Sequence, residues 1–322
     1  MNGRDDAHHP ADPTSIGPIF HQPWWLDAVA PGRWGAATVD RGGETVARLP
    51  YVVRGPSRMR VLSQPPLTPY LGPWVECAPG AKRAAAIGDQ LELLAELESR
   101  LPPASAFRQR FDPGMLGVLP FIWAGYRAEV RYTYRLEDLR SEQALWDGLS
   151  GNIRREIRKA RRRVKVRDDL GLDRLHAVWA KTFARQGLPP PDHERLDRID
   201  AACGPRGARS MLFACDDDDR VHAVAYLVSD HRTTYYLIGG GDPELRTSGG
   251  ASLLMWEAIL RARGEHEVFD FEGSMLKPVE RFFRAFGGRQ APYLSVSRAT
   301  VAAALALTLR GAWQRRGHRA VG

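Results

Sequence analysis

Long apolar runs are missing from this sequence. Nowhere do eighteen apolar residues follow one another, so no membrane-spanning helix is expected. Cysteine is scarce: Cys77, Cys203 and Cys215 lie far apart and form no C-x-x-C pair. That leaves no basis for a disulfide framework and points to a reducing, cytosolic setting. The nine histidines show neither H-x-x-x-H nor Cys/His spacing, so no metal ligands are expected. No G-x-x-x-x-G-K-S/T phosphate loop is present. There is no G-x-S-x-G nucleophile elbow either, since Ser274 sits in E-G-S-M. Internal repeats, a compositional linker and sustained heptads are also lacking. Residues 1–15 have no basic-then-apolar signal pattern and read as a disordered leader.

What is present is a 322-residue chain, 43% hydrophobic, with a net charge of +8. The length favours two domains, and the apolar fraction is enough for two cores. The basic balance suits an anionic partner: RNA, a phosphorylated cofactor or a membrane surface. An Arg-rich composition would give the same balance with no partner at all. The charge is concentrated in GNIRREIRKARRRVKV, residues 151–166, where eight of sixteen residues are Arg or Lys and only Glu156 opposes them. Within this run Ile153, Ile157, Ala160 and Val164 recur at helical spacing. The spacing predicts a core-packed helix whose outer face is basic. Arg155, Arg158 and Arg162 follow i, i+3, i+7 on that outer face and are the candidate nucleic-acid contacts.

The rest of the chain alternates helices and strands. P-W-W-L-D-A-V (23–29) reads as a helix, and 36–40 with 45–54 as a hairpin. The proline-rich 63–74 reads as a shaped loop. Lys82–Arg100 reads as a helix with Ile87, Leu91, Leu94 and Leu97 on one face. Strands are expected at 107–111 and 129–135. After the basic run come a short strand, two helices (172–186 and 192–203) and three strands (211–215, 221–229 and 233–238). The tight links between these strands imply antiparallel hairpins. A Gly-entered helix (248–263), a strand (268–271), a short helix (278–286) and a last strand (293–297) complete the order.

Two segments carry candidate chemistry. In R-T-S-G-G-A, Gly249 and Gly250 open a helix. The unpaired N–H groups and positive dipole end of such a helix could hold a phosphate, with Arg246 adding charge. The glycines could equally serve only to turn a corner. In F-D-F-E-G, strand alternation puts Asp270 and Glu272 on one side, opposite Phe271. Either carboxylate could act as a proton acceptor, although Asp270 could simply cap the following turn. Lys277 and Arg284, on the next element, are candidates for phosphate or carboxylate contact. Tyr235 and Tyr236 alternate, so that one faces the core and the other, assigned to Tyr236, is a candidate to line a binding pocket. Tyr70 and Trp74 could form an acceptor wall or pack within their own loop.

The order of elements resembles the GNAT superfamily of N-acyltransferases. R-T-S-G-G-A fits its Q/R-x-x-G-x-G/A donor loop at Arg246, Gly249 and Ala251. Phe269, Asp270, Phe271 and Gly273, then Phe283, Arg284, Phe286, Gly287 and Gly288, resemble the C-terminal signature of its FemAB-like branch. Arg154, Ile157, Arg158, Lys159 and Ala160 match a basic segment of the same branch. The likeness covers most of residues 20–298. It departs at Arg284, where lysine is common, and in lacking the coiled-coil arm of the peptidoglycan enzymes.

The resemblance implies an α/β protein of two packed GNAT-like domains, each a mixed, mainly antiparallel sheet flanked by helices. These would be an N-terminal degenerate domain (16–140) and a C-terminal domain with the donor loop (141–298), followed by a basic helical tail (299–322). It implies amide formation from aminoacyl-tRNA onto an amine of a small molecule or peptide. Acyl-CoA as co-substrate is the alternative, and a non-catalytic RNA-binding protein a second one. No tightly bound cofactor is expected.

Overall fold

The computed structural model describes residues 17–56, 59–76, 82–273 and 275–304. The leader at 1–15, Cys77, Ser274 and most of the tail at 299–322 lie outside the described residues. In chain order the elements are α1 (Pro23–Val29), β1 (Trp34–Arg41), β2 (Glu44–Arg54), β3 (Val61–Ser63), β4 (Trp74–Val75), α2 (Arg83–Ser99), β5 (Ala106–Arg110), α3 (Leu119–Trp123) and β6 (Arg127–Leu136). Then follow α4 (Glu142–Gly148), α5 (Gly151–Ala160), β7 (Lys165–Arg167), α6 (Leu172–Arg185), α7 (His193–Cys203), β8 (Arg209–Cys215), β9 (Val221–Ser229) and β10 (Thr233–Gly241). The last four are α8 (Gly250–Arg263), β11 (Val268–Asp270), α9 (Lys277–Arg284) and β12 (Arg289–Ala299).

Two compact units divide the chain. The larger takes the described residues of 1–29 and 132–291, the smaller those of 30–131 and 292–322. This differs from a simple cut at 140/141, and α1 shows why. Arg195 and Arg198 of α7 donate to the carbonyls of Val29 (3.2 Å) and Ala28 (2.9 Å). Phe20, just before α1, meets Tyr235 edge-on at 4.7 Å. The N-terminal helix therefore caps the C-terminal core. At the other end, β12 pairs antiparallel with β5 through Ser295–Ala299 and belongs to the small unit.

In the large unit the strand order is β6-β11-β10-β9-β8-β7. All neighbours are antiparallel except β10 and β11, which the crossover helix α8 makes parallel. β9 is buried along nearly its whole length, as a central strand covered on both faces must be. Ala223, Ala225 and Leu227 meet α5 and α8 on one face. Tyr226 on the other donates its hydroxyl to Asp200 of α7 (3.1 Å). α5 is formed as its stripe predicts: Ile153, Ile157, Ala160 and Val164 are buried, and Ser150 caps the first turn through the Ile153 N–H.

The small unit has the order β1-β2-β3-β5-β12, with β4 also paired to β2. Gly42 and Gly43, both at positive φ, close the β1–β2 hairpin. α2 and α3 pack on one another, and Phe107, Phe111, Phe121 and Tyr126 form an aromatic core. On α2 the predicted apolar face is only half buried. Leu94 and Leu97 are in the core, but Ile87 is 48% exposed.

Candidate active site

β10 and β11 run together for only three residue pairs, the last being Tyr235 with Asp270. β10 then continues to Gly241 alongside β9 alone, and the chain after Asp270 turns away. The sheet is therefore splayed at Tyr236. The two tyrosines alternate as the sequence implies. Tyr235 is buried against Phe20, its hydroxyl on Asp230 (3.2 Å). Tyr236 points to the opposite face, where Phe283 of α9 meets it edge-on at 6.0 Å and Phe271 lies 5.4 Å beyond. The Tyr236 ring lies along its own strand: a Cβ on Gly239 would come within 1.8 Å of its hydroxyl. Burial pushes the phenol well above its usual range.

The turn after β11 is tightly specified. Asp270 is fully buried. Its Oδ1 accepts from the Thr133 hydroxyl (2.6 Å) and from the Glu272 N–H (2.7 Å), and its Oδ2 from Arg135 Nε (2.7 Å). The cap reading of Asp270 thus matches the geometry, and a carboxylate so enclosed is not a proton acceptor for an incoming amine. Glu272 and Gly273 are both left-handed (φ 57° and 55°), which breaks the strand alternation expected for Asp270 and Glu272. Gly273 is obligatory, because a Cβ there would lie 2.4 Å from the Tyr132 carbonyl. Glu272 is half-buried, with its Oε1 shut off from solvent. The glycines of F-R-A-F-G-G also serve close approach: a Cβ on Gly287 would meet the Gly148 carbonyl at 2.6 Å, and one on Gly288 would press on Phe271.

Lys277 opens α9 and is exposed. Arg284 is exposed at the end of α9 and donates through Nε to Glu280 (2.8 Å). Glu280 also accepts the Tyr134 hydroxyl (2.7 Å). The Arg284 guanidinium, then Tyr134, hold the Glu280 carboxyl below its usual range, and Glu280 in turn raises Arg284. Arg284 is thus an anchored cation with its outer nitrogens free of that bond.

The donor loop departs from an open phosphate cradle. Arg246 and Ala251 are exposed, but Gly249 and Gly250 are buried. Gly249 (φ 81°) lies on α5, where a Cβ would meet the Glu156 carbonyl at 2.7 Å. Gly250 packs over His222 and Ala214. Its N–H goes to Ser248 Oγ (3.1 Å), and the N–H groups of Ser252 and Leu253 go to the Gly249 carbonyl. These glycines therefore close α8 onto α5 as well as turning the corner. Beneath the loop, His222 Nε2 bonds Asp216 (2.9 Å), which with Arg220 holds that carboxyl far below its usual range.

This packing brings the basic run to the donor loop, since α5 touches both Gly249 and residues 246–248. Arg155, Arg158 and Arg162 are all exposed. Arg162 falls in the turn after α5, so it extends the outer stripe beyond the helix rather than along it. Arg158 and Arg161 cover Trp146 at 5.6 and 5.8 Å.

The expected acceptor residues lie in the small unit. Tyr70 is buried edge-on against Tyr293 of β12 (5.3 Å), so its ring offers no exposed wall. Trp74 is half-buried on β4 opposite Arg48. Sequence reasoning missed Thr133, Arg135, Tyr134 and Glu280. Each matters through strand register or helix docking, and no local motif marks them. Among the described residues no group of His, Cys, Asp and Glu is placed to hold a metal. No described helix is long and apolar enough to cross a membrane.

Residues 149–284 match the family model described as acetyltransferase (GNAT) domain. That segment is similar to a GNAT acetyltransferase domain. The matched segment holds the splay, the loop before α8 and α5. No curated protein matches the chain. Solved structures do match its fold. A crystal structure of FemX is 14% identical, with 86% of this chain and 92% of that one covered and a TM-score of 0.64. The C-terminal domain of a putative lysylphosphatidylglycerol synthetase from Agrobacterium fabrum is 16% identical, with 88% and 89% covered and a TM-score of 0.54. L-PGS from Bacillus licheniformis is 9% identical, with 89% and 90% covered and a TM-score of 0.52.

Proposed function

We propose that the protein moves an aminoacyl group from aminoacyl-tRNA to an amine of a small molecule or peptide, with the donor held by the GNAT domain. The observation that carries this reading is the contact between the basic helix and the donor loop. Gly249 is seated on α5 at Glu156 and Ala160, so the loop that carries exposed Arg246 packs on the same helix whose outer face carries the exposed Arg155, Arg158 and Arg162. A polyanion needs such an extended surface, whereas a single pyrophosphate needs a few convergent N–H groups. Here Gly250, Ser252 and Leu253 use theirs internally.

In the proposed reaction the acceptor nitrogen attacks the ester carbonyl of the donor. A C–N bond forms, and the C–O bond to the terminal ribose breaks. Glu272 takes the proton lost by the amine and returns one to the departing ribose oxygen. Arg284 and Lys277 supply positive charge for the oxyanion or a terminal phosphate. Arg284 stays protonated throughout, so it stabilises charge and moves no proton. Tyr236 and Phe283 line the splay where the aminoacyl group would enter.

The second reading, acyl-CoA as donor, is favoured by the GNAT description itself and by Arg246, Gly249 and Ala251 in the donor-loop pattern. One experiment separates the readings. The protein is incubated with a mixed aminoacyl-tRNA preparation or an acyl-CoA panel, each with a panel of amines, and products are followed by mass spectrometry. Transfer abolished by RNase supports the first reading. RNase-resistant transfer from acyl-CoA replaces it with the second. Salt-dependent RNA binding with no turnover of either donor would leave a non-catalytic RNA-binding protein.

A further inference from the structure

The buried carboxylate of Asp270 is tied more heavily than a turn requires. An Asp–x–N–H contact of the kind made to Glu272 closes such a turn by itself. Two further donors come from β6. Arg135 stands directly opposite Asp270 in the antiparallel register, and Thr133 is its diagonal neighbour two residues away. Enclosing a charge costs free energy, and a partner geometry this complete is what offsets it. The fold therefore invests a buried ion pair and a hydroxyl in fixing the orientation of one side chain.

What that orientation fixes is Glu272. A left-handed backbone is unfavourable for an ordinary L-residue, whose Cβ crowds the neighbouring carbonyl. A glycine at 272 would adopt the same turn without that cost, so shape alone gives no reason for a glutamate. The next residue is glycine and is pressed onto β6, its would-be Cβ 2.5 Å from Thr133 Cα. Residues 272–273 are thus held from below by the Thr133 backbone and from behind by the Asp270 carboxylate, which the Thr133 hydroxyl steers.

We propose that Thr133 and Arg135 are positioning residues that hold the Glu272 carboxylate in its working orientation through the buried Asp270. Neither touches a substrate in this scheme. The inference rests on the reading that Glu272 handles the amine proton, and its test is arranged so that the two fail separately.

The test uses full-length protein and four variants: Thr133→Val, Thr133→Ser, Glu272→Gln and the Thr133→Val/Glu272→Gln pair. Two measurements are made. The first is hydrogen exchange in peptides covering 268–276. Thr133→Val removes one buried hydrogen bond and should raise exchange there by about tenfold while leaving α8 at 250–263 unchanged. Thr133→Ser keeps the hydroxyl and should behave as the parent. Unchanged exchange at 268–276 in Thr133→Val overturns the proposal, whatever the reaction proves to be.

The second measurement is turnover of the donor identified by the RNase experiment, split into kcat and KM. Thr133→Val should lower kcat about tenfold with donor KM within about twofold. Thr133→Ser should restore it, and Thr133→Val should add less than about twofold in the Glu272→Gln background. A full, additive loss in that background shows that Thr133 does not act through Glu272 and overturns the proposal. Full activity in Glu272→Gln alone removes the base assignment instead.

Discussion

Two glycine-bearing segments flank the splay of the GNAT domain, and they use glycine differently. In the loop before α8, Gly249 and Gly250 let one helix close on another, and the carbonyl of Glu156 occupies the space a side chain would need. In the turn after β11, Gly273 lets the backbone press on β6, where a buried carboxylate accepts the N–H of the preceding glutamate. The first segment joins two helices; the second fixes a turn. A glycine motif by itself marks close approach, and the side chains beside it decide what the approach is for.

The largest expected effect is at the turn. Gly273→Ala meets both a positive φ and distances of 2.4 and 2.5 Å to backbone, so it should destabilise the protein by about 2–4 kcal/mol in urea unfolding. A loss under about 1 kcal/mol would mean that the turn is not pinned to β6. At the loop the two glycines should separate. Gly249→Ala, with positive φ and a 2.7 Å approach to the Glu156 carbonyl, should cost about 2–3 kcal/mol. Gly250→Ala meets only side-chain atoms at 3.2–3.4 Å and should cost about 1 kcal/mol. Equal costs at 249 and 250 would contradict the helix-closing role given to Gly249.

Acid should also divide the two segments. Asp216, beneath the loop, is held down by His222 and Arg220, and Glu280, beside the turn, by Arg284 and Tyr134. A carboxyl whose folded pKa is depressed contributes stability above its unfolded value and loses it as pH falls through the folded one. Stability from Glu280 should therefore begin to fade below its ordinary 4.5, and that from Asp216 below its ordinary 3.8 and on to much lower pH. Asp216→Asn should flatten the acid limb of stability against pH more than Glu280→Gln does.

The smallest stability effect is expected on the outer face of α5. Changing Arg155, Arg158 and Arg162 together to Gln should move stability by less than about 0.5 kcal/mol, since exposed charges contribute little. The same change should weaken RNA binding and flatten its log K against log salt slope by about 0.7–0.9 for each phosphate no longer neutralised. An unaltered slope would make that face a solvated one and move the acyl-CoA reading ahead.

Much of this was legible in the sequence, for physical reasons that can be named. The α5 stripe, the β1–β2 hairpin and the Gly-entered α8 follow from local periodicity and glycine placement, and each is seen. The signature F-D-F-E-G is legible as a motif. The contacts that fix its turn are not, because Thr133 and Arg135 reach Asp270 only through a β6–β11 register separated by more than 130 residues. Alternation also misplaced Glu272, since strand geometry ends at Asp270 and a left-handed residue follows. Between the two roles open to Tyr70, wall or packing, the sequence could not choose, because the residue that buries it, Tyr293, stands on the last strand. The place of α1 on α7 depends equally on contacts across most of the chain.

The central claim is that the donor is an aminoacylated RNA end held by the GNAT domain along α5 and the loop before α8. Hydrogen exchange with and without a stable, amide-linked aminoacyl-tRNA analogue tests it most directly. The account predicts protection in peptides covering 151–163 and 245–253, with α2 at 83–99 unchanged. Protection confined to residues outside 149–284 would contradict it.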